Sequence, residues 1–260
     1  MSITFNNILK IFSLEDEVAI ITGGARGNGN SIAKGFLAAG AIVYLVDILK
    51  DELEMAREDF DSEKCHIVCA DVTDADSMNT VLRDIYEKHN KINILVNNAG
   101  VTCPDTSETY PIEKWNHTHR VNLEAPFRLA QMVFPYMKMN NGGVIINITS
   151  LNSEVGGSNN PAYISSKGGL KLLTKALAKD WAKYNIRINN LGLGYFKTDM
   201  TKRSYKDTVL RKIRTERIML NRWGGTEDIV GPSIFLASPA AQYITGQDIY
   251  VDGGVLSNGI

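Results

Sequence analysis

The chain has 260 residues, of which 44% are apolar and 22% are charged, and its formal net charge is −1. This length fits one large α/β domain or two small ones, and either buries a sizeable core. The balanced charge argues against a nucleic-acid partner, and no apolar stretch approaches the ~20 residues that span a bilayer, so we expect neither nucleic-acid nor membrane binding.

The N-terminal residues and the cysteines both indicate a reducing compartment. Residues 1–17 have a broken apolar run and no small-residue cleavage site, so we expect cytoplasmic sequence. The chain has three cysteines, an odd number in a chain too large to need disulfides. Cys65, His66 and Cys69 could form a metal clip, but HIVCADV alternates as a strand, and we predict no metal site there or at His117 and His119.

Seven short apolar runs predict seven strands: VAIITGG, AIVYLVDI, HIVCADV, NILVNNAG, GVIINITS, IRINNLG and QDIYVDGG. Most are continuous, as expected of strands buried on both faces. Helical periodicity covers residues 31–39, 50–60, 74–89 and 162–183. The alternation predicts an α/β fold with a doubly wound, mainly parallel sheet and helices on both faces. Without a repeat or a linker, we expect a single domain over residues 1–260, with residues 1–14 as an N-terminal extension.

A glycine-rich segment, TGGARGNG, occupies residues 22–29 between the first predicted strand and the first helix. Its spacing does not match the dinucleotide pattern G-x-G-x-x-G, although its setting does. Gly23, Gly27 and Gly29 can let the backbone approach a pyrophosphate, with free N–H groups at the helix start. A tight strand-to-helix turn would also require glycines, so the loop by itself leaves both interpretations open.

Asp47 ends the second predicted strand, twenty positions after Gly27. A carboxylate there can accept hydrogen bonds from the adenosine ribose hydroxyls and would repel a 2′-phosphate. This favours NAD over NADP as the cofactor. The alternative is a helix cap for the segment that begins near Leu49.

Tyr163 and Lys167 lie four residues apart in a helical segment that begins at Pro161, so both side chains lie on one helix face. A phenol titrates near pH ~10, so acid or base chemistry at neutral pH requires a shift worth roughly 4 kcal/mol. A nearby ammonium favours the phenolate. Such pairs also occur by chance in many helices.

Together, several motifs resemble the short-chain dehydrogenase/reductase family in order and approximate spacing. They are TGGARGNG, Asp71, NNAG at 97–100, Asn122 in RVNL, Ser150 in INITS and YISSK at 163–167, and the resemblance extends from Val18 to VDGG at 251–254. It implies a Rossmann-like fold and an NAD(P)-dependent oxidoreductase that forms a homotetramer or dimer.

The resemblance also implies the roles of four catalytic residues. Tyr163 would be the general acid/base, and Ser150 would orient the substrate oxygen. Lys167 would hold the nicotinamide ribose and lower the pKa of Tyr163, and Asn122 would support a water in a proton path.

By the same resemblance, the cofactor would contact residues from five segments, while Asn97 would have a structural role in the sheet. Arg26 is expected over the adenine or in solvent. Leu193 replaces a proline common in the family, which could loosen the nicotinamide wall, and Asn28 replaces an aliphatic residue. The predicted cofactor residues are Gly23, Arg26, Gly27, Asn28, Gly29, Asp47, Ile48, Asp71, Val72, Asn98, Ala99, Gly100, Tyr163, Lys167, Gly194, Phe196 and Thr198.

Two segments are expected to contact the substrate, since substrate loops in this family follow the fifth and sixth strands. The loop at 151–160 is polar, which suits a polyol or sugar: it contains Asn152, Glu154, Ser158, Asn159 and Asn160. A lid at 199–223 is basic, and its cations either meet an anionic substrate or form a solvated helix face. They are Lys202, Arg203, Lys206, Arg211, Lys212, Arg214, Arg217 and Arg222.

The leading functional hypothesis is an NAD-dependent oxidoreductase that interconverts a secondary alcohol and a ketone on a small sugar, polyol or sugar derivative. One alternative is an NADPH-dependent 3-oxoacyl thioester reductase of fatty-acid synthesis, against which Asp47 argues. Another is a non-catalytic nucleotide-binding scaffold. An apolar helix stripe suits an interface between subunits or packing on the sheet; it consists of Leu170, Leu173, Leu177 and Trp181.

Overall fold

A computed structural model describes residues 9–60 and 62–258. Each of the seven predicted runs forms a strand. They are β1 (Val18–Thr22), β2 (Ile42–Asp47), β3 (Cys65–Cys69), β4 (Ile94–Asn97), β5 (Gly143–Ser150), β6 (Ile186–Leu193) and β7 (Asp248–Val251).

The helices alternate with the strands, as predicted. They are α1 (Gly27–Ala38), α2 (Lys50–Phe60), α3 (Ala75–His89), α4 (Ile112–His119), α5 (Ala125–Met139), α6 (Pro161–Trp181), α7 (Lys202–Lys206), α8 (Thr208–Glu216) and α9 (Val230–Ala237). Helix α1 begins at Gly27 and not near residue 31, so the last glycines of TGGARGNG form its first turn.

All seven strands form one sheet in the order β3-β2-β1-β4-β5-β6-β7, and every neighbouring pair is parallel. Phe36 of α1, Leu53 of α2 and Leu236 of α9 pack in the core on one face. Leu82 of α3 and Leu129 of α5 pack on the other face. The Rossmann-like, doubly wound fold is therefore confirmed. Its strand order reverses between β1 and β4, where ligands bind at the carboxyl edge in such folds.

A ladder of polar side chains crosses the sheet from β4 to β7. Asn97, Asn147, Asn190 and Asp248 are neighbours in register on four successive strands. The Asn97 amide donates to Asn147 Oδ1 at 2.8 Å, and Asn190 Nδ2 donates to Asp248 Oδ1 at 2.7 Å. Between them, the Thr174 hydroxyl of α6 accepts from Asn147 Nδ2 and donates to Asn190 Oδ1, each at 2.7 Å. The ladder therefore ties α6 to the sheet.

Replacing Thr174 with Val is expected to lower the free energy of unfolding by about 2–4 kcal/mol, because two buried amides lose a partner while side-chain volume is kept. Urea denaturation measures this change. Thr80→Val is the matched control, since Thr80 is exposed and its hydroxyl donates to Asp76 O, the carbonyl four residues before it. An equal effect of both substitutions would contradict the ladder's contribution.

The remaining predictions concern termini, membranes and metals. Residues 1–8 of the predicted N-terminal extension (1–14) lie outside the described residues, whereas Leu14 is buried and donates its N–H to Ala39 O at 2.8 Å. Within residues 9–60 and 62–258, no helix is long and apolar enough to cross a membrane. In the same residues, no three His, Cys, Asp or Glu side chains gather as metal ligands. His66 instead stacks against Tyr44, with ring centroids 4.6 Å apart.

Candidate active site

Tyr163 and Lys167 lie one turn apart near the start of α6, as predicted from their spacing. Pro161 is the first residue of the helix, where its missing N–H is not needed. Lys167 is buried, and its Nζ lies 6.0 Å from the centroid of the Tyr163 ring. The two side chains therefore share one helix face beside the carboxyl ends of β4 and β5.

Ser150 ends β5 and begins the short turn that leads toward α6. Its Oγ accepts a hydrogen bond from Asn152 N at 3.2 Å, and Ser153 Oγ donates to Lys167 O at 3.1 Å. These bonds hold the turn against α6 next to Tyr163. The Ser150 hydroxyl lies close enough to the Tyr163 phenol to affect its pKa, so the two predicted groups for the substrate oxygen are brought together.

Burial controls the protonation of both α6 side chains. It raises the pKa of Tyr163, and the nearby Ser150 hydroxyl acts in the opposite direction without outweighing it. Burial lowers the pKa of Lys167 from 10.5 to about 8. The Lys167 ammonium donates to Ile148 O at 2.7 Å. The direction for Tyr163 is thus opposite to the expected lowering by Lys167, because desolvation dominates in the protein alone.

Asn122 lies in a π-helical turn, Arg120–Glu124, that joins α4 to α5. Its Oδ1 accepts from Val101 N at 2.8 Å, and its Nδ2 donates to Val101 O at 2.9 Å and to Ser166 Oγ at 3.2 Å. A Cβ added to Gly100 would lie 3.4 Å from Asn122 Oδ1 and 3.7 Å from Lys167 Nζ. Asn122 is therefore next to Lys167, and its Oδ1 keeps one lone pair for a water.

The glycine loop is held tightly against the end of β4. Gly23 has a φ of +64°, and a Cβ there would lie 2.9 Å from Ala99 Cα. A Cβ on Gly29 would lie 2.2 Å from Gly23 O, so neither position accepts a side chain. Asn98 Nδ2 donates to Thr22 O and to Gly23 O, both at 2.9 Å. Asn98 thus has a structural role beside that of Asn97, which anchors the ladder on β4, and its contact with a cofactor stays a prediction.

Three features of this loop fit a bound dinucleotide. The side chain of Arg26, which precedes α1, does not cap the N–H groups of the first turn. Gly27 has a φ of +59°, and a Cβ there would meet only Thr198 Cγ2, at 3.9 Å. Asn28 Oδ1 is buried without a hydrogen-bond partner among the described residues. Open N–H groups and a side-chain-free gap suit a phosphate, whereas the unpaired Asn28 oxygen is an acceptor and needs a donor such as a ribose hydroxyl.

Asp47 has the capping role considered for it, while its contact with the ribose stays a prediction. Its Oδ1 accepts from Leu49 N, and its Oδ2 accepts from Ala25 N, each at 3.2 Å. The carboxylate therefore caps the chain before α2 and also braces the glycine loop. Each oxygen retains a lone pair for a further donor.

Among the described residues, Arg26 pairs with two carboxylates and lies over no aromatic ring. Its guanidinium is 3.1 Å from Glu52 of α2 and 3.4 Å from Asp199 at the start of the predicted lid. All three side chains are largely exposed, so each pair contributes little to stability. The contacts nevertheless occupy Arg26 on the side facing the lid.

The predicted adenine residues lie along the ends of β2 and β3. Ile48 is 64% exposed, so its side chain is free to contact a flat ligand. Asp71 is also exposed, and its Oδ1 accepts from Thr73 N at 2.8 Å and from Thr73 Oγ1 at 2.9 Å. Val72 is half-buried.

The segment after β6 is held by backbone pairing, so the Leu193 departure does not loosen it. Leu193 pairs with Ser150 and Val251 as the last residue of the strand, and Gly194 N donates to Val251 O at 3.0 Å. A Cβ on Gly194 would lie 2.6 Å from Asp252 Cα, so only glycine fits. Phe196 is buried and forms a backbone bridge with Gly224, and its carbonyl oxygen accepts from Thr201 Oγ1.

Comparison with known proteins identifies the family. A family model described as enoyl-(acyl carrier protein) reductase matches residues 23–256. The chain belongs to the short-chain dehydrogenase/reductase family. It is 34% identical over 248 residues to the 5-keto-D-gluconate 5-reductase of Escherichia coli, with 95% of this chain and 98% of the relative covered.

Two further similarities carry information on substrates and cofactors. The chain is 33% identical to an NAD-dependent glycerol dehydrogenase of Listeria innocua, with coverage of 96% and 98%. A gluconate 5-dehydrogenase from Burkholderia cenocepacia, solved with NADP and tartrate, has a TM-score of 0.92 at 33% identity, with 96% of this chain and 99% of that chain covered. As a short-chain dehydrogenase/reductase, this chain is an oxidoreductase that acts on CH–OH groups with NAD(P).

Sequence reasoning missed a cluster of side chains that holds the loop after Ser150. Glu154 is bound by Lys171 Nζ and by Tyr250 Oη, the latter at 2.6 Å. Lys171 lies one turn beyond Lys167, and the ring of Tyr250 lies over Gly192, where a Cβ would be 2.3 Å away. The Glu154 carboxylate is therefore already bound by side chains of this protein. The four-residue spacing between Lys167 and Lys171 was the sequence signal that could have indicated this cluster.

The apolar stripe of α6 and the loop amides also have partners within this chain. Leu170 and Leu177 are buried, and Leu177 packs in the core with Leu129, so the stripe packs partly on the sheet. Asn160 Nδ2 donates to Thr102 Oγ1 at 2.8 Å, while its Oδ1 is buried without a partner among the described residues. Fewer loop polar groups are open to substrate than the composition suggested.

Proposed function

We propose that this enzyme interconverts a secondary alcohol and a ketone on a small sugar, polyol or sugar derivative, with NAD as its preferred cofactor. The observation that carries the proposal is the grouping of Tyr163 with Ser150 and with buried Lys167 at the sheet edge that also holds the glycine loop. The similarity to a keto-gluconate reductase and a glycerol dehydrogenase supports the substrate class.

In this proposal each side chain has one task. Ser150 donates a hydrogen bond to the substrate oxygen and sets its position. Tyr163 gives that oxygen its proton in reduction and removes it in oxidation. The Lys167 ammonium, next to Asn122 and Gly100, favours the phenolate when Tyr163 loses its proton. When bound, NAD(P) supplies or accepts the hydride at the carbon.

The cofactor would be held by the residues that fit a dinucleotide. The first turn of α1 would bind the pyrophosphate, Asp47 and Ile48 would flank the ribose and adenine, and Asp71 and Val72 would lie beside the adenine. The NNAG wall and the segment after β6 would line the nicotinamide end. The wall consists of Asn98, Ala99 and Gly100, and the segment of Gly194, Phe196 and Thr198.

A substrate panel with NAD(H) and NADP(H) tests the function. It should contain polyols, sugar acids, nucleotide sugars and 3-oxoacyl thioesters, with Tyr163→Phe as the control for turnover at this site. We expect turnover of polyols or sugar acids. Exclusive turnover of 3-oxoacyl thioesters would favour the reductase alternative, and cofactor binding without any turnover would favour the scaffold alternative.

The preference for NAD over NADP rests on the charges near Asp47. A 2′-phosphate would meet this carboxylate, and Arg26, the nearest candidate to bind such a phosphate, is already paired with Glu52 and Asp199. Relatives do not decide the point, since one is named for NAD and a similar structure contains NADP. The carboxylate environment supports NAD.

Asp47→Ala is expected to raise the ratio of kcat/KM for NADP to kcat/KM for NAD by about 10- to 100-fold, because the repulsion of a 2′-phosphate is removed. Steady-state kinetics with both cofactors measures the ratio. Asp59→Ala, at the far end of α2 and paired with Lys34, is the matched control. A wild-type preference for NADP would show that the assignment of NAD is wrong.

We also propose one domain over residues 1–260, with residues 199–223 as a lid, and a dimer or tetramer. A groove between α4, α5 and α6 supports an oligomer because apolar side chains line it, including Leu123, Phe127 and Leu173. Sedimentation analysis gives the assembly state, and a monomeric mass at assay concentration would contradict an oligomer.

A further inference from the structure

Helix α8 in the lid exposes apolar side chains, while one of its arginines is half-buried. Val209 and Ile213 are 66% and 43% exposed, while Arg214 on the opposite side is half-buried. A helix on a protein surface normally turns its apolar stripe inward and its charges outward. An arginine that faces inward needs another explanation than solvation.

Aromatic rings lie against both arginines of α8, although only Arg214 is half-buried and Arg211 is exposed. The guanidinium of Arg214 lies 5.1 Å from the centroid of Tyr195 and 5.9 Å from that of Trp223. Arg211 lies 5.4 Å from the centroid of Tyr205. Trp223 is only 2% exposed, and its Nε1 donates to Thr215 Oγ1 at 3.2 Å. The rings therefore fix the guanidinium of Arg214 in place through its faces.

No carboxylate pairs with either arginine in the part of the chain that the structure describes. Two other cations of the lid have carboxylate partners. Lys212 lies 3.9 Å from Glu216, and Arg222 lies 2.6 Å from Asp228. A guanidinium whose faces stack on rings still has its N–H groups at the edge, where a carboxylate binds in a bidentate manner. Arg214 thus presents an ordered and uncompensated set of donors.

The aromatic cluster adjoins the proposed active site. Trp223 is buried in one cluster with Leu151, the residue after Ser150, and with Val155 of the same loop. Tyr195 belongs to that cluster and follows Gly194 of the proposed nicotinamide segment. Arg214 therefore lies on the lid side of the turn that carries Ser150.

We propose that Arg214, assisted by Arg211, binds a carboxylate on the substrate at a distance from the reacting carbon. The substrate class is then a polyhydroxy acid rather than a neutral polyol. This inference rests on the proposed function, and it accounts for the half-buried position of Arg214 against the aromatic cluster that adjoins Ser150.

The test compares D-gluconate with D-glucitol, a neutral polyol of the same length. Arg214→Met is expected to raise KM for gluconate by about 10- to 100-fold, with kcat/KM for glucitol unchanged. Arg211→Met should have a smaller effect in the same direction. Lys212→Met is the matched control, since it removes one cation from the outward side of the same helix. Arg214→Lys keeps the charge and is expected to recover only part of the binding.

Calorimetry separates this inference from the proposed function. Gluconate is titrated into Tyr163→Phe with NAD present, with and without Arg214→Met, so that the result does not depend on turnover. Gluconate binding that needs Arg214 supports the inference even if the wild type oxidises neither compound, a result that would count against the proposed function alone. Binding that is absent, or that is unaffected by Arg214→Met and Arg214→Lys, would overturn the inference, as would an equal loss for both substrates.

Discussion

Replacing Tyr163 with Phe is expected to lower kcat/KM by about 10²- to 10⁴-fold, the usual contribution of a positioned acid/base group. The phenyl ring keeps the packing on α6 and removes only the hydroxyl beside Ser150. Binding of NAD(H), followed by nicotinamide fluorescence, should remain. Steady-state kinetics with the best substrate of the panel gives the loss.

The matched control is Tyr243→Phe, because Tyr243 is fully exposed and outside the site. Since burial raises the pKa of Tyr163, its hydroxyl is protonated at neutral pH in the protein alone. We therefore expect alcohol oxidation, which needs the deprotonated form, to become faster as pH rises. Retained turnover in Tyr163→Phe would remove the acid/base role from this residue.

Replacing Lys167 with Met is expected to stabilise the fold at pH 7 by about 2 kcal/mol while nearly abolishing turnover. Burial lowers the pKa of Lys167 from 10.5 to about 8, so holding the ammonium in the folded protein costs about 3 kcal/mol below pH 8. The lost hydrogen bond to Ile148 O offsets about 1 kcal/mol of the gain. Urea denaturation at several pH values measures the difference.

The pH dependence gives this prediction its sign. The pKa of Lys167 is lower in the folded than in the unfolded chain, so between pH 8 and 10.5 the unfolded chain binds more protons. Wild-type stability should therefore rise through this window relative to Lys167→Met, and the gap between them should close. Lys179→Met, an exposed position on the same helix, should show no such difference. A variant that is less stable at pH 7 would contradict the cost assigned to burial.

The sequence predicted where the site lies more completely than how its side chains are paired. The strand ends at Ser150 and Asn97, and the helix that carries Tyr163 and Lys167, follow from local pattern, and the carboxyl ends of parallel strands meet at one edge. The partners of Glu154 were not predictable in this way. Tyr250 is 96 positions further along the chain, and its contact depends on Gly192 leaving room for the ring.

Arg26 shows the same limit at the cofactor loop. Its place within TGGARGNG predicted an adenine contact or solvent, and its side chain is 52% exposed, but the sequence did not predict its pairs with Glu52 and Asp199. The pKa of Tyr163 is another case, because four-residue spacing predicts proximity to Lys167 but not the desolvation that outweighs it. Charge and burial depend on neighbours that are distant in the chain.

By itself, the sequence determined the seven strands, four of the helices, the glycine loop and the family, because periodicity and motif spacing are local properties. Only the tertiary structure decided the ladder from Asn97 to Asp248, the brace on Glu154 and the inward direction of Arg214 on α8. Each of these depends on which polar group finds a partner once water is excluded. That outcome depends on packing between elements, which local sequence patterns do not predict.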